Sequence, residues 1–211
     1  MEIQIRPAEP EDTDVVSSIL LEASGWLESR GIGMWRADEL SPDQISQGVR
    51  DGLFFLASVD HLVQPAGTIK FQLSDPLFWP DVSHLDAAYV HRLAVRREFA
   101  GRAVSGALLS WAVRRSHSLG RRFLRLDCEV SRPRLRAVYE QFGFQHHSDR
   151  QVGPYFVARY QLEVGSVLGK AESRAVLTTK WSRCAHGSCD HDAVARGSFG
   201  ALARRTMLEF R

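Results

Sequence analysis

Residues 89–109, YVHRLAVRREFAGRAVSGALL, contain the pattern from which the fold is predicted. The first seven, Tyr89 to Val95, are rich in β-branched and aromatic side chains with polar ones interleaved, which predicts a strand. A basic turn with one glycine follows, from Arg96 to Gly101. From Val104 onward, apolar side chains recur at helical spacing and predict a helix with one buried face. A strand, turn and helix in this order direct backbone N–H groups and the positive end of a helix dipole towards an anion such as phosphate.

The same stretch resembles the cofactor motif of GNAT-type N-acetyltransferases, which use acetyl-CoA. In that family a strand ends in a Leu-Ala-Val-like triplet, and the pattern Arg/Gln-x-x-Gly-x-Gly/Ala then opens a helix. Here the triplet is Leu93, Ala94 and Val95, and the loop is residues 100–105, AGRAVS. The loop departs from the family pattern at three positions: Ala100, Ala103 and Ser105.

This resemblance implies a binding site for acetyl-CoA. The backbone of the triplet would contact the pantetheine arm, as an added strand contacts a sheet edge. The loop would hold the pyrophosphate through Gly101, Arg102, Ala103, Val104, Ser105 and Gly106. Helical backbone angles would tolerate Ala103 and Ser105 in place of glycine, and Arg102 supplies a cation. The alternative is a strand-to-helix turn that binds no ligand.

A second signature of the family, Tyr-Glu-x-x-Gly-Phe, is matched at residues 139–144, YEQFGF. In many members this tyrosine lies near the cofactor sulfur, so Tyr139 is predicted to protonate the leaving thiolate. A phenol with a pKa of about 10 suits a thiolate of about 8.5. Without the motif, Tyr139 would be interpreted as a core residue. Seven residues earlier the family usually has an asparagine that touches the cofactor arm. Arg132 stands there, and its charge could reach a phosphate.

An acceptor amine must lose a proton before it attacks. His91 is the predicted base, because it titrates near neutral pH and some arylalkylamine-acetylating relatives have a histidine on this strand. A structural role for His91 remains an alternative. Other candidates are Tyr89, Asp86, Glu129 and a chain of water molecules.

Hydrophobic periodicity along the chain predicts an α/β fold with a mixed sheet. Helices are expected near residues 10–27, 41–49, 104–119 and 133–142, and strands near 3–5, 53–59, 68–73, 89–95, 123–128, 145–147 and 155–162. The GNAT resemblance further implies that the sheet is splayed after the fourth strand, with helices on both faces and acetyl-CoA in the gap. The domain is predicted to cover residues 1–163, and residues 164–211 to form a loosely ordered extension.

Composition limits the functional class. The 211 residues have a formal net charge of only +2, which disfavours nucleic acid as a partner. No signal peptide and no apolar run of membrane-spanning length is visible, so a cytoplasmic protein without a membrane partner is expected. The three cysteines suggest no disulfide framework. Cys184 to His191 has zinc-ligand residue types but not their usual spacing, so no metal site is predicted.

The sequence therefore predicts an N-acetyltransferase that moves acetyl from acetyl-CoA to a primary amine by direct attack. The acceptor, a small molecule or a peptide, would contact the loops Trp26–Arg36 and Ser74–Tyr89. Their aromatic residues Trp26, Trp35, Phe78 and Trp79 favour an apolar or aromatic acceptor. A homodimer is possible. The alternative is a catalytically silent GNAT domain that acts as an acyl-CoA sensor or interaction module, and a third is metal or partner binding through the tail.

Overall fold

The computed structural model describes residues 2–35, 37–60 and 64–167. These residues form a mixed α/β domain. The strands are β1 (Ile3–Pro7), β2 (Phe54–Val59), β3 (Gly67–Gln72), β4 (Ala87–Val95), β5 (Phe123–Glu129), β6 (Gln145–Val152) and β7 (Tyr155–Glu163). The α-helices of nine or more residues are α1 (Thr13–Glu28), α2 (Pro42–Arg50), α3 (Val104–Ser118) and α4 (Pro133–Phe142). The predicted α/β class is confirmed.

One seven-stranded sheet has the order β1-β2-β3-β4-β5-β7-β6. All neighbouring strands are antiparallel except β4 and β5, which are parallel. Their pairing covers only Ala87–Val90 against Phe123–Leu126, although β4 continues to Val95 and β5 to Glu129. The two strands therefore separate at their carboxyl ends, and the predicted splay after the fourth strand is confirmed.

A β-bulge lies in β4 where this separation begins. Lys70 is opposite His91 and Thr68 is opposite Ala94, so Ile69 alone faces the two residues Arg92 and Leu93. Arg92 has a left-handed backbone with φ of 49°. A bulge bends its strand and changes the direction of side chains. It therefore breaks the alternation of β4 beside the gap.

The helices cover both faces of the sheet. Phe54 and Leu56 on one face of β2 pack with α1 and α2, while Ala57 and Phe55 on the other face belong to the larger core. That larger core contains the buried face of α3, including Leu108 and Ala112, together with Tyr139 from α4. Alternation along a strand explains how neighbouring residues enter opposite cores.

The segment between β3 and β4 is held on the sheet by two buried arginines. Arg159 of β7 makes two contacts with Asp81, at 2.5 and 2.9 Å, and donates to the carbonyl of Phe78. Hydrogen bonding to Arg159 holds the pKa of Asp81 well below its usual range. Arg125 of β5 donates to the carbonyl of Ser83 at 2.9 Å. These bonds fix the 73–86 segment over the gap.

Three predicted strands were too short, including β1, which continues to Pro7 rather than ending near Ile5. β4 begins at Ala87 rather than Tyr89, and β6 continues to Val152 rather than ending near His147. Most of β6 is exposed or half-exposed because it is an edge strand, so its polar residues gave no alternating signal. Pro10 also lies in a separate 3-10 turn, Pro10–Asp12, ahead of α1.

The core continues just beyond the predicted domain boundary. Val164 is 1% exposed, and its N–H donates to the carbonyl of Arg122 at 2.9 Å. Most of the predicted extension, including the Cys184–His191 cluster, lies outside the described residues. Among the residues that are described, no helix has both the length and the apolar character needed to cross a membrane.

Candidate active site

The gap between β4 and β5 opens into two cavities. The larger has a volume of about 680 Å³, and the smaller one of about 180 Å³. Both are lined by Leu93 of β4 and by Arg132, Leu135 and Tyr139 at or within α4. The two cavities therefore meet at the splayed ends of the strands.

The smaller cavity contains most of the predicted cofactor residues. Its lining includes Leu93, Ala94, Val95, Gly101, Val104, Ser105 and Arg132. The neighbouring Arg102, Ala103 and Gly106, which were also predicted to bind the cofactor, do not line this cavity. The residue that precedes α3, Ala103, makes no side-chain cap, so the first N–H groups of the helix have no capping side chain. Uncapped N–H groups at a helix N-terminus favour an anion.

The backbone of Ala103 corrects one sequence-based expectation. Its φ is 62°, in the left-handed region, and not the helical value that would have made alanine a harmless replacement for glycine. Gly101 is also left-handed, with φ of 77°. A left-handed conformation costs an alanine about 1 kcal/mol or more. Ser105, in contrast, lies inside α3, where the expectation of a helical backbone is confirmed.

Two arginines, Arg97 and Arg132, line the smaller cavity, and Arg30 and Arg102 lie near residues of its lining. The guanidinium of Arg97 stacks on the ring of Trp26 at 3.7 Å, and that of Arg30 lies 3.9 Å from the same ring. Trp26 belongs to α1 and lines this smaller cavity, so its predicted place in an acceptor loop was wrong. The guanidinium of Arg102 lies 5.7 Å from the ring of Phe99. Positive charge at this mouth suits a phosphorylated ligand.

Tyr139 lies in the lining of both cavities. It is 7% exposed, and its ring packs against those of Phe144 and Tyr160. Burial, together with the nearby Cys128 and Asp127, raises the pKa of its hydroxyl. The hydroxyl therefore keeps its proton at neutral pH, which is the state required of a proton donor.

A cluster of titratable groups lies at the floor of the larger cavity. His91 Nε2 is 3.0 Å from Asp75 Oδ2, and His91 Nδ1 is 3.7 Å from Asp127 Oδ1. Neither contact has hydrogen-bond geometry. The atoms Asp75 Oδ2, His91 Nε2 and Asp127 Oδ1 are all buried and have no hydrogen-bond partner among the described residues. The two carboxylates thus face different nitrogens of one imidazole. Each can stabilise a positive charge on the ring and orient it.

Asp127 carries the largest electrostatic penalty in this cluster. Burial raises its pKa to about 6, nearby Asp75 raises it further, and His91 opposes the shift. Asp127 therefore keeps its proton up to about pH 6. The side chains could together hold a cation. Because the carboxylates face opposite nitrogens, they suit a protonated ring better than one shared metal ion.

Aromatic and apolar groups form the walls of the larger cavity. Trp35 and Phe78, two of the residues predicted to contact the acceptor, line it together with Met34, Leu77 and Tyr155. Trp79 is fully buried between Tyr89 and the arginines of the sheet, so its predicted contact with an acceptor is not possible in this structure.

The family is decided by a comparison with known sequences. Residues 22–144, more than half of the chain, match the sequence model of the Acetyltransferase (GNAT) family. The chain belongs to the GNAT acetyltransferases.

Similar proteins agree with this assignment. N-acetyltransferase YesJ of Bacillus subtilis (strain 168), itself uncharacterised, is 29% identical over 143 residues, which are 66% of this chain and 79% of YesJ. A GNAT acetyltransferase from Listeria monocytogenes 4b F2365 superposes with a TM-score of 0.65 and 23% identity, over 77% of this chain and 95% of its own. The PaiA N-acetyltransferase of Thermoplasma acidophilum, solved with coenzyme A, superposes with a TM-score of 0.61 and 19% identity, over 77% of this chain and 100% of its own.

The other predicted bases of this GNAT protein lie elsewhere or are already bonded. The hydroxyl of Tyr89 is 2.6 Å from His84 Nδ1 and accepts from Arg125, so it belongs to the network under the 73–86 segment. Asp86 lies 3.9 Å from Arg125 and is not among the residues that line either cavity. Glu129 lines the larger cavity and accepts from Ser131.

Sequence reasoning missed Asp75 and Asp127. The sequence places Asp127 on a predicted strand, but the pairing register that brings it beside His91 comes from the structure. Extending the parallel register of β4 and β5 places Asp127 beside His91, with both residues on the same face. Asp75 has no strand position to mark it, because it lies in the irregular segment after β3.

Proposed function

We propose that this protein transfers an acetyl group from acetyl-CoA to a primary amine, by direct attack of the amine in a ternary complex. One observation carries the proposal: where β4 separates from β5, a cavity suited to an anion meets a cavity that contains the half-buried imidazole of His91, and Tyr139 lines both. The family assignment supports acetyl transfer. The PaiA structure with coenzyme A supports the choice of cofactor.

The residues around the smaller cavity fit acetyl-CoA. The uncapped start of α3, with the loop at Gly101 and Ser105, would hold the pyrophosphate. The end of β4, from Leu93 to Val95, has no partner on its β5 side and would receive the pantetheine arm. Bound acetyl-CoA supplies an activated acetyl group and leaves as a thiolate.

Tyr139 would act as the acid. Its hydroxyl is held in the protonated form by burial and lies in the lining of both cavities. A protonated phenol can donate a hydrogen bond to the sulfur as negative charge develops there, and its proton would pass to the sulfur as the bond to the acetyl carbon breaks. In this role Tyr139 would lower the barrier to departure of the sulfur.

His91 would act as the base, with Asp75 and Asp127 as positioning residues. The amine proton would move to Nδ1 of the ring, since Nε2 is buried against Asp75, and the amine nitrogen would then form the new bond to the acetyl carbon. The two carboxylates, at 3.0 and 3.7 Å, would stabilise the imidazolium produced by this transfer. They would also attract the positively charged form of the acceptor as it enters.

The experiment combines calorimetric titration with acetyl-CoA and an acceptor screen that measures thiol release. Tyr139→Phe should bind acetyl-CoA almost as tightly as wild type, but turn over about 100-fold more slowly or worse. Tyr160→Phe is the matched control, because its hydroxyl bonds Arg136 and Glu140 and lines neither cavity. Equal turnover in both variants would exclude Tyr139 as the acid.

His91→Gln tests the base. It should change the acidic limb of the pH–rate profile, whereas His117→Gln, at an exposed position of α3, should not. Binding of acetyl-CoA without acetylation of any acceptor would instead favour the silent sensor over the transferase.

A further inference from the structure

Besides Arg132, which also lines the smaller cavity, the larger cavity is lined by two cations that have no ion-pair partner among the described residues. Lys70 of β3 and Arg92 of β4 both line it. The Nη1 atom of Arg92 is buried and has no hydrogen-bond partner in the described part of the chain. Lys70 and Arg92 are half-buried, and cations that are partly removed from water are normally paired, because losing hydration without compensation is costly. These two groups therefore need an explanation.

Keeping these cations in the empty cavity is unfavourable. Burial lowers the pKa of Lys70 and the charge of Arg92 lowers it further, while Asp75 and Asp51 oppose the shift. Burial also lowers the pKa of Arg92. Glu39 attracts Arg92 through space, but its carboxylate accepts a hydrogen bond from Tyr155 at 2.9 Å, and no ion pair joins it to Arg92 within the described residues. An anion from outside would satisfy both cations.

The cations lie immediately beside the proposed base. Lys70 is the register partner of His91 on the neighbouring strand, and Arg92 follows His91 at the bulge. Side chains directly opposite each other in an antiparallel pair have Cβ atoms about 5 Å apart. An anionic group on the acceptor would therefore lie only a few bonds from the amine that faces His91.

We propose that the acceptor is an amino-carboxylate, with an α-amino acid bearing an apolar or aromatic side chain as the best fit; this rests on the proposed acetyl transfer. Lys70 and Arg92 bind the carboxylate, the Asp75–His91–Asp127 cluster receives the ammonium group, and Trp35 and Phe78 contact the side chain. A cavity of about 680 Å³ is within the range of small-molecule sites. A guanidinium binds a planar carboxylate well.

The test compares acceptors that differ only in the carboxylate. Phenylalanine, phenylalanine amide and phenethylamine are assayed at saturating acetyl-CoA, and O-phosphoethanolamine is included as a phosphate-bearing amine. We expect kcat/KM for phenylalanine to exceed that for phenethylamine by about 10- to 100-fold, the effect of a hydrogen bond between charged groups. The gain should appear mainly in KM, because the carboxylate lies away from the reacting bond.

Two variants assign the effect to residues. Lys70→Met keeps the length of the side chain, and Arg92→Asn suits the left-handed backbone. Each should lower kcat/KM for phenylalanine about tenfold more than it lowers kcat/KM for phenethylamine. Arg122→Gln is the control, since this exposed arginine pairs with Glu163 outside both cavities. Lys70→Met should melt no lower than wild type, because it removes a buried charge.

Calorimetric titration with phenylalanine provides a readout that does not depend on turnover. Binding that is lost in Lys70→Met would support the proposal even if no acetylated product formed, and the proposed transferase activity would then be the part that fails. Equal use of phenylalanine and phenethylamine, or a preference retained in both variants, would overturn the amino-carboxylate while leaving the transferase intact. A clear preference for O-phosphoethanolamine would also overturn it, in favour of a phosphate.

Discussion

The difference in free energy of unfolding between Asp127→Asn and wild type should shift in favour of the variant as the pH rises from acidic to neutral. Asp127 is buried beside Asp75 and His91, and its pKa is raised from 3.8 to about 6. A carboxyl group with a raised folded-state pKa binds its proton more tightly in the folded protein. Its contribution to stability is therefore complete below pH 3.8, and is lost as the pH rises through about 6.

The magnitude follows from the two pKa values. The full contribution is about two pKa units, or roughly 3 kcal/mol. At pH 5 about 1.4 kcal/mol of it remains, and at pH 8 almost none. Asparagine has no proton to lose, so the free energy of unfolding of Asp127→Asn minus that of wild type should increase by about 1.4 kcal/mol from pH 5 to pH 8.

Urea unfolding at half-unit steps between pH 5 and pH 8 measures this difference. Asp14→Asn is the control, because Asp14 is exposed on α1 and its substitution should give a difference that is nearly constant over this range. A constant difference for Asp127→Asn as well would refute the reasoning. Asp127 would then not be desolvated beside His91 as the structure places it.

The remaining predictions concern the loop and the domain boundary. Ala103→Gly should raise the free energy of unfolding by about 0.5–1 kcal/mol, because glycine adopts the left-handed backbone at this position without strain. Ser105→Gly should lower it by about 0.5 kcal/mol, because glycine is unfavourable within α3. Thermal melts of both variants check that the two effects have opposite signs. Arg102→Glu should weaken acetyl-CoA binding, measured by calorimetry, because it brings a negative charge to the phosphate mouth. A chain ending at Val167 should melt at a higher temperature than one ending at Glu163, because it keeps the buried Val164, whose burial contributes about 2 kcal/mol to the free energy of unfolding. Equal melting temperatures would show that Val164 contributes little.

The cofactor side of the site could be predicted from sequence because its residues are close together in the chain. Leu93, Ala94 and Val95 are separated from Gly101 and Ser105 by one short turn, so local pattern was sufficient to group them. The conformation of Ala103 was not predictable in the same way. Most residues avoid a left-handed backbone, and its occurrence here depends on how the turn joins β4 to a helix already packed on the sheet.

The sequence by itself determined the α/β class, the strand–turn–helix unit and the tyrosine of α4, since each depends on short-range periodicity or a local motif. Only the tertiary structure decided which groups surround His91. Asp75 comes from an irregular segment and Asp127 from a parallel strand 36 positions further along the chain than His91. Arg92 and Lys70 meet there because of a bulge in the pairing of β3 with β4. Register and bulges are set by packing across strands, so residues distant in sequence become neighbours only when the sheet has formed.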